Sequence, residues 1–284
     1  MKDGIPNYNE IVFTKTEKDK IVELYTKDNL STPIIGKMMG CNYQKICSIL
    51  DEYGVKRTNK CRRKYSLNEN YFDDINTPNK AYILGLMYAD GCNFPPKSTS
   101  NISLQESDKE LLEKIKIEIE STQPLKFIDQ SNRNDNGYSY NNMCTLNMYS
   151  KHICETLTKL GVIQNKSLLL EFPNISSNLY SHFIRGYFDG DGSLYMYKKS
   201  NGNVHITITY TSTENFCKKL KEIIEKELGI NCGIYDASCH NGITKVASIT
   251  GVKHPLKVLN WMYKDAELYL QRKYDKYIDY MNAV

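Results

Sequence analysis

The sequence predicts an α+β protein, with a small all-α domain at the N-terminus and two similar α+β halves after it. Two observations support this prediction. Apolar residues between positions 16 and 57 recur at intervals of three and four, which is typical of short amphipathic helices. From position 77 onward the same order of helix-like and strand-like segments occurs twice, with matching glycine-rich segments at residues 83–91 and 184–192.

Composition and charge limit the class of protein. The chain has 284 residues, of which 40% are hydrophobic, and a net charge of only +4. No run reaches the roughly 18 apolar residues of a membrane span, and the first ten residues lack the order of a secretion signal. The nine cysteines form no C-x-x-C pair, so we expect neither a zinc ribbon nor a disulfide framework. We therefore expect a soluble intracellular protein, in a bacterial or phage-infected cytoplasm or an organelle matrix.

The N-terminal segment is predicted to form three short helices between Thr16 and Arg57. Gly40 is expected to turn the chain between the second and third of them. The arrangement resembles a helix-turn-helix DNA-binding domain, whose recognition helix would run here from Asn42 to Glu52. The alternative is a generic three-helix bundle. The expected capping residues are Thr16, Ser31 and Asn42. The residues expected to contact DNA are Asn42, Tyr43, Gln44 and Lys45.

A basic segment follows this domain. Residues 56–64 read KRTNKCRRK, which contains six basic residues and no acid. Such a segment suits contact with phosphates, and the alternative is a solvated linker. The expected phosphate-binding residues are Lys56, Arg57, Arg62 and Arg63. The predicted boundaries are 1–57 for the helix-turn-helix domain, 58–76 for the basic linker, 77–174 for the first half and 175–284 for the second half.

Each half opens with a helix that ends in a glycine-rich turn. The first reads ILGLMYADG at residues 83–91 and the second reads IRGYFDGDG at residues 184–192, which aligns Asp90 with Asp191. Small residues four positions apart lie on one face of each helix and allow two backbones to approach closely. These helix-interface residues are Gly85, Ala89, Gly186 and Gly190. We therefore expect the two helices to pack side by side, with both aspartates at one end.

Two carboxylates held at neighbouring helix C-termini repel each other and the helix dipoles. Cations relieve this repulsion, and oxygen ligands from carboxylates, phosphate and water suit Mg²⁺. Metal ions about 4 Å apart can stabilise the attacking and leaving oxygens of a phosphodiester. Asp90 and Asp191 are therefore the expected metal-binding and catalytic acids. Asp189 precedes the turn, has Tyr88 as its counterpart and is not expected to bind metal.

The two glycine-rich segments resemble the paired signature of single-chain LAGLIDADG homing endonucleases, and the resemblance covers residues 72–281. It implies two αββαββα halves related by pseudo-twofold symmetry, which form a saddle on double-stranded DNA with a sheet in each major groove. It also implies a monomer that cuts both strands with Mg²⁺ or Mn²⁺ and leaves staggered ends, whereas Ca²⁺ binds without supporting cleavage. Backbone carbonyls beside the two aspartates are implied as further metal ligands.

The resemblance also implies a basic residue near the scissile phosphate, late in each half. The matching segments are LGVIQNKSLLLEFP and YLQRKYDKY, which give Lys166 and Lys273 as catalytic candidates. The alternative is that each is a surface lysine that bonds phosphate. Gln105 matches a residue that positions solvent in relatives, and Tyr210 is expected at the corresponding place in the second half. This difference implies unequal solvent networks and unequal rates of cutting the two strands.

Outward-facing strand residues and the adjoining loops are expected to contact bases, because alternate residues of a strand share one face. The candidates are Lys97, Ser103, Lys126, Asp129, Gln130, Arg133, Asn147, Lys198, Lys199, Thr207, Thr209, Asp236, Ser238 and Lys245.

The sequence thus favours a metal-dependent, site-specific DNA endonuclease over a non-cleaving nucleic-acid binder built on the same scaffold. Such a binder would be a transcription regulator or a maturase whose partner is intron RNA. Regulators with this scaffold usually lack its acids, and this chain retains both Asp90 and Asp191.

Overall fold

The structure is a computed structural model that describes residues 11–27, 30–57, 64–131, 133–135, 138–198, 200, 202, 204–237 and 243–283. The predictions for Arg62, Arg63, Lys199 and Ser238 lie outside these residues. The chain forms two compact units, Met1–Ser66 and Leu67–Val284. Within the described ranges, no helix is long and apolar enough to cross a membrane.

The first unit contains α1 (Lys15–Thr26), α2 (Thr32–Met38) and α3 (Tyr43–Glu52). The predicted helical N-terminal region is therefore present, whereas its role in DNA binding stays a prediction. The expected cap at Thr16 is wrong, because the Thr14 hydroxyl accepts a hydrogen bond from the Glu17 N–H and the Glu17 carboxylate accepts one from the Thr14 N–H. This reciprocal pair needs a Glu or Gln three residues after the cap, and it starts α1 at Lys15, two residues earlier than a cap at Thr16 would. Gly40, at φ +69°, turns the chain between α2 and α3.

The first half of the second unit has a helix, two strands, a helix, two further strands that pair with each other, and a final helix. A small hairpin of two strands, Asn134–Asp135 and Tyr138–Ser139, is inserted between the last two strands of this half. The main sheet is antiparallel with strand order β1-β2-β6-β3. The elements are α4 (Pro78–Ala89), β1 (Gly91–Phe94), β2 (Thr99–Gln105), α5 (Lys109–Glu118), β3 (Lys126–Ile128), β4 (Asn134–Asp135), β5 (Tyr138–Ser139), β6 (Met143–Tyr149) and α6 (Lys151–Lys159).

The second half repeats this order and adds a C-terminal helix. Its antiparallel sheet has strand order β7-β8-β10-β9, which is the order of the first sheet. The predicted duplicated αββαββα unit is thereby confirmed. The elements are α7 (Tyr180–Asp191), β7 (Gly192–Lys198), β8 (Val204–Ser212), α8 (Glu214–Leu228), β9 (Gly233–Asp236), β10 (Lys245–Gly251), α9 (Lys253–Tyr263) and α10 (Gln271–Ala283).

The core of the second unit is continuous between the two halves. Alternate residues of the strands point into it, as with Ile102 and Leu104 on β2 and Ile206 and Ile208 on β8. In α4 every residue from Ala81 to Tyr88 is buried. Because protein covers this helix on all sides, it carries apolar residues on all of its faces. The central position of α4 and its counterpart α7 places the ends of both helices at the middle of the unit.

Candidate active site

Two glycines allow α4 and α7 to pack with their backbones in direct contact. A Cβ atom at Gly85 would lie 2.1 Å from the carbonyl oxygen of Phe183, and one at Gly186 would lie 2.0 Å from the carbonyl oxygen of Tyr82. No side chain fits in either position without moving backbone atoms. The two helices therefore approach as closely as their main chains permit, each through its own glycine.

The same close contact continues to the C-terminal ends of the helices. A Cβ atom at Gly190 would lie 2.3 Å from the Ala89 Cβ and 2.9 Å from Oδ2 of Asp90. The Asp90 carboxylate thus lies against the backbone of α7, one residue before Asp191. The structure in this way brings together the four small residues and both acids that the sequence analysis singles out.

The electrostatics of Asp90 and Asp191 follow from this proximity. The pKa of Asp90 is raised to about 6, because desolvation and the negative charge of Asp191 raise it by more than Lys273 and Lys166 lower it. Desolvation by the surrounding protein also raises the pKa of Asp191, although its side chain reaches solvent on one side. The two carboxylates therefore hold negative charge where water hydrates it poorly, and a cation would be favourable there.

Two lysines bind the C-terminal ends of these helices, where backbone carbonyls have no partner within the helix. Lys166 donates from Nζ to the carbonyl oxygens of Ala89 at 3.2 Å and Gly91 at 2.5 Å. A positive charge at a helix C-terminus is also favoured by the helix dipole. Lys166 therefore brackets Asp90, since its two acceptors belong to the residues before and after that acid.

Lys273 occupies the equivalent place in the second half. It donates from Nζ to the carbonyl oxygens of Asp189 at 2.9 Å and Gly192 at 2.6 Å, and also to that of Phe188. Its side chain is only 5% exposed and lies 4.7 Å from the centre of the Phe188 ring. Desolvation lowers its pKa to about 8, and Asp189 opposes this shift. Lys166 is less buried and its pKa is lowered for the same reason.

Asp189 points away from the two acids and into the protein. It is fully buried, and its Oδ2 accepts hydrogen bonds from the Tyr82 hydroxyl at 2.8 Å and from the Leu270 N–H at 2.8 Å. Its pKa is raised to about 6, because desolvation raises it by more than Lys273 and the Tyr82 hydrogen bond lower it. Its contacts join α4 of the first half to the chain segment that leads into α10 and Lys273.

Sequence reasoning overlooked Arg185, which supports the same segment. The side chain is fully buried, and it donates from Nε to the carbonyl oxygen of Leu268 at 3.0 Å and from Nη1 to that of Met262 at 2.6 Å. The guanidinium also lies 5.0 Å from the centre of the Tyr82 ring. The available signal was a lone arginine among the apolar residues of α7, because such a charge is buried only when it has partners.

The donor set at the helix ends fits a divalent cation that takes oxygen ligands. Among the described residues no cluster of three or more His, Cys, Asp or Glu side chains could hold a metal ion. Asp90 and Asp191 would instead supply two carboxylates, with the other positions open to water and phosphate oxygens. The expectation of neighbouring carbonyl ligands stays a prediction, and the carbonyls of Ala89, Gly91 and Gly192 each accept a hydrogen bond from a lysine.

Gln105 and Tyr210 do not occupy equivalent positions. In the first sheet Gly91 pairs with Ile102, and in the second sheet Gly192 pairs with Tyr210, so Tyr210 is the counterpart of Ile102. Tyr210 is fully buried and its hydroxyl donates to the Met262 sulfur, whereas Gln105 is exposed at the end of β2. The expectation that Tyr210 replaces Gln105 is therefore wrong, because it ignored the strand register.

The outward faces of the two sheets carry several of the proposed base-contacting residues. In the first sheet Ser103, Thr145 and Lys126 form one cross-strand row, and in the second sheet Thr207 and Thr209 lie on the solvent side of β8. Other candidates lie off these faces. Lys97 lies between β1 and β2 over the Phe94 ring, Arg133 lies over the Tyr140 ring, Lys198 ends β7, and Lys245 forms an ion pair with Asp236 at the sheet edge.

The residues of the first unit that are predicted to contact DNA differ in whether their side chains already have partners within the protein. The Asn42 side chain caps α3 by accepting a hydrogen bond from the Lys45 N–H at 2.8 Å. Tyr43, at 52% exposure, and Gln44 lie open to solvent at the start of the helix. Arg57 forms a two-point ion pair with Asp51, and Lys56 precedes it at the end of the described segment.

Residues 178–257 match the model of the LAGLIDADG-like domain. The chain is similar to the solved structure of meganuclease I-SmaMI bound to uncleavable DNA, at 15% identity over 72% of this chain and 89% of that chain, with a TM-score of 0.48. It is similar to the I-LtrWI LAGLIDADG homing endonuclease bound to target DNA, at 15% identity over 75% and 89%, with a TM-score of 0.46. A third similar structure is full-length DUF199/WhiA from Thermatoga maritima, at 16% identity over 76% and 64%, with a TM-score of 0.45. A comparison with curated proteins finds no match.

The second unit consists of two halves with the same order of elements, and each half has a four-stranded sheet and a central helix that ends at an acid. The match to the LAGLIDADG-like domain lies in the second of these halves.

Proposed function

We propose that this chain is a site-specific double-strand DNA endonuclease of the intron-homing type. It would hydrolyse one phosphodiester in each strand with a divalent metal ion and leave staggered ends. The observation that supports this proposal is the contact of Asp90 with the backbone beside Asp191, at the joined ends of two helices that each bind a lysine. An arrangement of poorly hydrated carboxylates and ammonium groups is suited to a phosphate and its cation.

Asp90 and Asp191 would hold Mg²⁺ or Mn²⁺. When bound, the ion would polarise a phosphate oxygen and make a coordinated water more acidic. Asp90 must lose its proton to bind the ion, and its pKa of about 6 allows this at neutral pH. Lys166 and Lys273 would keep a positive charge beside each acid and thereby offset charge that develops on the phosphate during attack.

DNA contacts would come from the outward faces of the two sheets, with additional phosphate contacts from the N-terminal unit. An antiparallel sheet can present alternate side chains to the base edges of the major groove. Gln105 would act at the edge of the first sheet, where it is exposed. Tyr43, Gln44, Lys45, Lys56 and Arg57 would contact a flanking stretch of DNA, and the functional form would be a monomer.

The test uses the full-length chain and a randomised library of double-stranded DNA. With Mg²⁺ we expect a subset of sequences to be cut in both strands, and with Ca²⁺ we expect the same subset to be bound and left intact. Asp90→Asn and Asp191→Asn should abolish cutting and preserve binding. Glu110→Gln, at an exposed acid on α5, is the matched control and should leave cutting unchanged.

Binding without cutting by the unmodified chain under every metal condition would contradict the proposal. In that case the chain would be a non-cleaving binder, and RNA binding that is insensitive to Asp90→Asn and Asp191→Asn would favour a maturase. The retention of both acids is the observation that favours cleavage over this second candidate.

A further inference from the structure

The outward face of the second sheet carries neither charged nor amide side chains on its described strands. The register aligns its residues in cross-strand rows that alternate with the buried rows of Leu194 and Ile208. The face consists of Ser193, Tyr195 and Tyr197 on β7, His205, Thr207, Thr209 and Thr211 on β8, Val246, Ser248 and Thr250 on β10, and Gly233 and Tyr235 on β9. It is a surface of hydroxyls, methyl groups and aromatic rings.

The aromatic rings on this face are held in place by each other and by the backbone. Tyr195 is 64% exposed and stacks on Tyr197, with ring centres 5.8 Å apart and planes inclined by 23°. Tyr197 in turn lies 5.7 Å from the His205 ring across the strand pair. Tyr235 is 63% exposed and leans over Gly233, where a Cβ atom would meet its hydroxyl at 2.6 Å. These rings present apolar surface to solvent in fixed orientations.

The outward face of the first sheet has a different chemistry. Asn101 on β2 pairs directly with Asn147 on β6, and both are partly exposed on the solvent side. Gln105 and Lys126 lie on the same face. The first sheet therefore offers two asparagines, a glutamine and a lysine, and the described strands of the second sheet offer none of these side chains on the equivalent surface.

The bases differ in what they require of such a surface. Guanine presents two acceptors in the major groove and is read by arginine or lysine, and adenine presents a donor and an acceptor that suit asparagine or glutamine. Cytosine presents a donor that suits a carboxylate. Thymine alone adds a methyl group, which is recognised by apolar contact with threonine methyls and aromatic rings. Of the four bases, thymine is the one that the second face can recognise best.

We infer that the two halves read DNA by different chemistry, the first sheet through hydrogen bonds to purine edges and the second sheet through apolar contact with thymine methyl groups. The inference rests on the proposed DNA-binding function. It predicts a target whose second half-site is rich in A·T pairs and whose first half-site is specified at both A·T and G·C pairs.

The test replaces thymine by deoxyuridine, which removes only the methyl group and keeps base pairing. The target selected from the library is made with this replacement in one half-site at a time, and dissociation constants are measured with Ca²⁺. Each methyl group in contact with the second sheet should contribute about threefold to fivefold in affinity, as expected for one buried carbon. The same replacement in the first half-site should change affinity by less than about twofold, because its readout depends on hydrogen bonds.

Matched variants assign each half-site to a sheet. Tyr195→Ala, at an exposed ring, should reduce the deoxyuridine effect in one half-site, and Asn101→Ala should leave that effect intact while it relaxes base selection in the other half-site. Circular dichroism checks that both variants are folded.

A chain that cuts DNA but selects a G·C-rich second half-site, or that ignores deoxyuridine there, would overturn the inference and leave the proposed function standing. A chain that neither binds nor cuts DNA would overturn both.

Discussion

The Tyr82 hydroxyl donates a hydrogen bond to Oδ2 of Asp189 at 2.8 Å, across the contact between the helices of the two halves. Both residues are fully buried, and the same carboxylate oxygen accepts the Leu270 N–H. One acid therefore connects α4, α7 and the segment before Lys273. The segment before Lys273 in the second half is therefore held in part by Tyr82 of the first half, through Asp189.

We expect Tyr82→Phe to lower the free energy of unfolding by about 1–3 kcal/mol, because it removes one of the donors to a buried carboxylate. Urea denaturation followed by circular dichroism measures the change. Tyr149→Phe, at a half-exposed tyrosine, is the control and should have little effect. Equal stability of Tyr82→Phe and the unmodified chain would mean that Asp189 does not need this donor.

Gly186→Ala should destabilise the protein by about 3 kcal/mol or more, at the upper end of the cost of overpacking. The added Cβ would lie 2.0 Å from the Tyr82 carbonyl oxygen, so the helices would have to separate. Lys218→Ala, at an exposed position of α8, should change stability by less than about 0.5 kcal/mol. Thermal unfolding of the two variants side by side decides the matter, and a mild effect at Gly186 would contradict the close helix contact.

The pH dependence of stability should reveal the raised pKa of Asp90. An acid whose folded pKa lies near 6, above its unfolded value near 4, binds more protons in the folded state between these pH values. Its contribution therefore favours folding as the pH falls from about 7 to 5. His182 acts in the opposite direction, because burial and the charge of Arg185 lower its pKa to about 4.

Comparison of variants separates these contributions. Asp90→Asn removes the titrating group, so the stability of the unmodified chain relative to this variant should be greater at pH 5 than at pH 7.5. Urea unfolding at both pH values measures it, with Glu110→Gln as the exposed control. A difference that is independent of pH would mean that Asp90 titrates normally.

Lys273→Met should cost more stability than Lys166→Met. Lys273 is buried and binds three carbonyl oxygens, whereas Lys166 is partly exposed and binds two. Hydrogen bonds from a charged group contribute about 1.5–3 kcal/mol each when a buried partner is left unpaired. Urea unfolding gives the order, and Lys151→Met at an exposed lysine of α6 is the control. The reverse order would contradict the burial difference between the two sites.

Under the proposed function the same lysine variants should slow cleavage of one strand each. The expected product is nicked circular DNA that accumulates before linear DNA, as seen by electrophoresis of a plasmid with one target site. Lys151→Met should produce linear DNA at the normal rate. Simultaneous loss of both cuts in each lysine variant would argue that the two lysines do not serve separate strands.

Much of the fold was predictable because its signals are local. The Asn42 cap and the alternation of apolar residues in β2 and β8 each depend on neighbours within a few positions. The duplicated order of elements, which these local signals predict twice, is confirmed. The cap was misplaced at Thr16 because Thr14 and Thr16 both lie near the start of the helix. The structure uses Thr14, which has a glutamate, Glu17, three residues further on.

The site was predictable only in part, because its geometry depends on distant pairings. Asp90 and Asp191 follow from the repeated glycine-rich segments. The register that pairs Tyr210 with Gly192, and the lysines that bind carbonyls 75 to 85 residues away, have no local signature. In the sequence, only its position before the turn distinguished Asp189 from Asp191. Its hydrogen bond with Tyr82 became visible only in the structure.

The interlocked glycines of α4 and α7 also determine how this chain could be recombined. Since each helix is shaped to the main chain of the other, a chimera that joins one half to an unrelated half would have to transplant both helices together. The strands that face solvent make no such demand. The outward residues of either sheet could therefore be exchanged as a set, while α4 and α7 are kept unchanged.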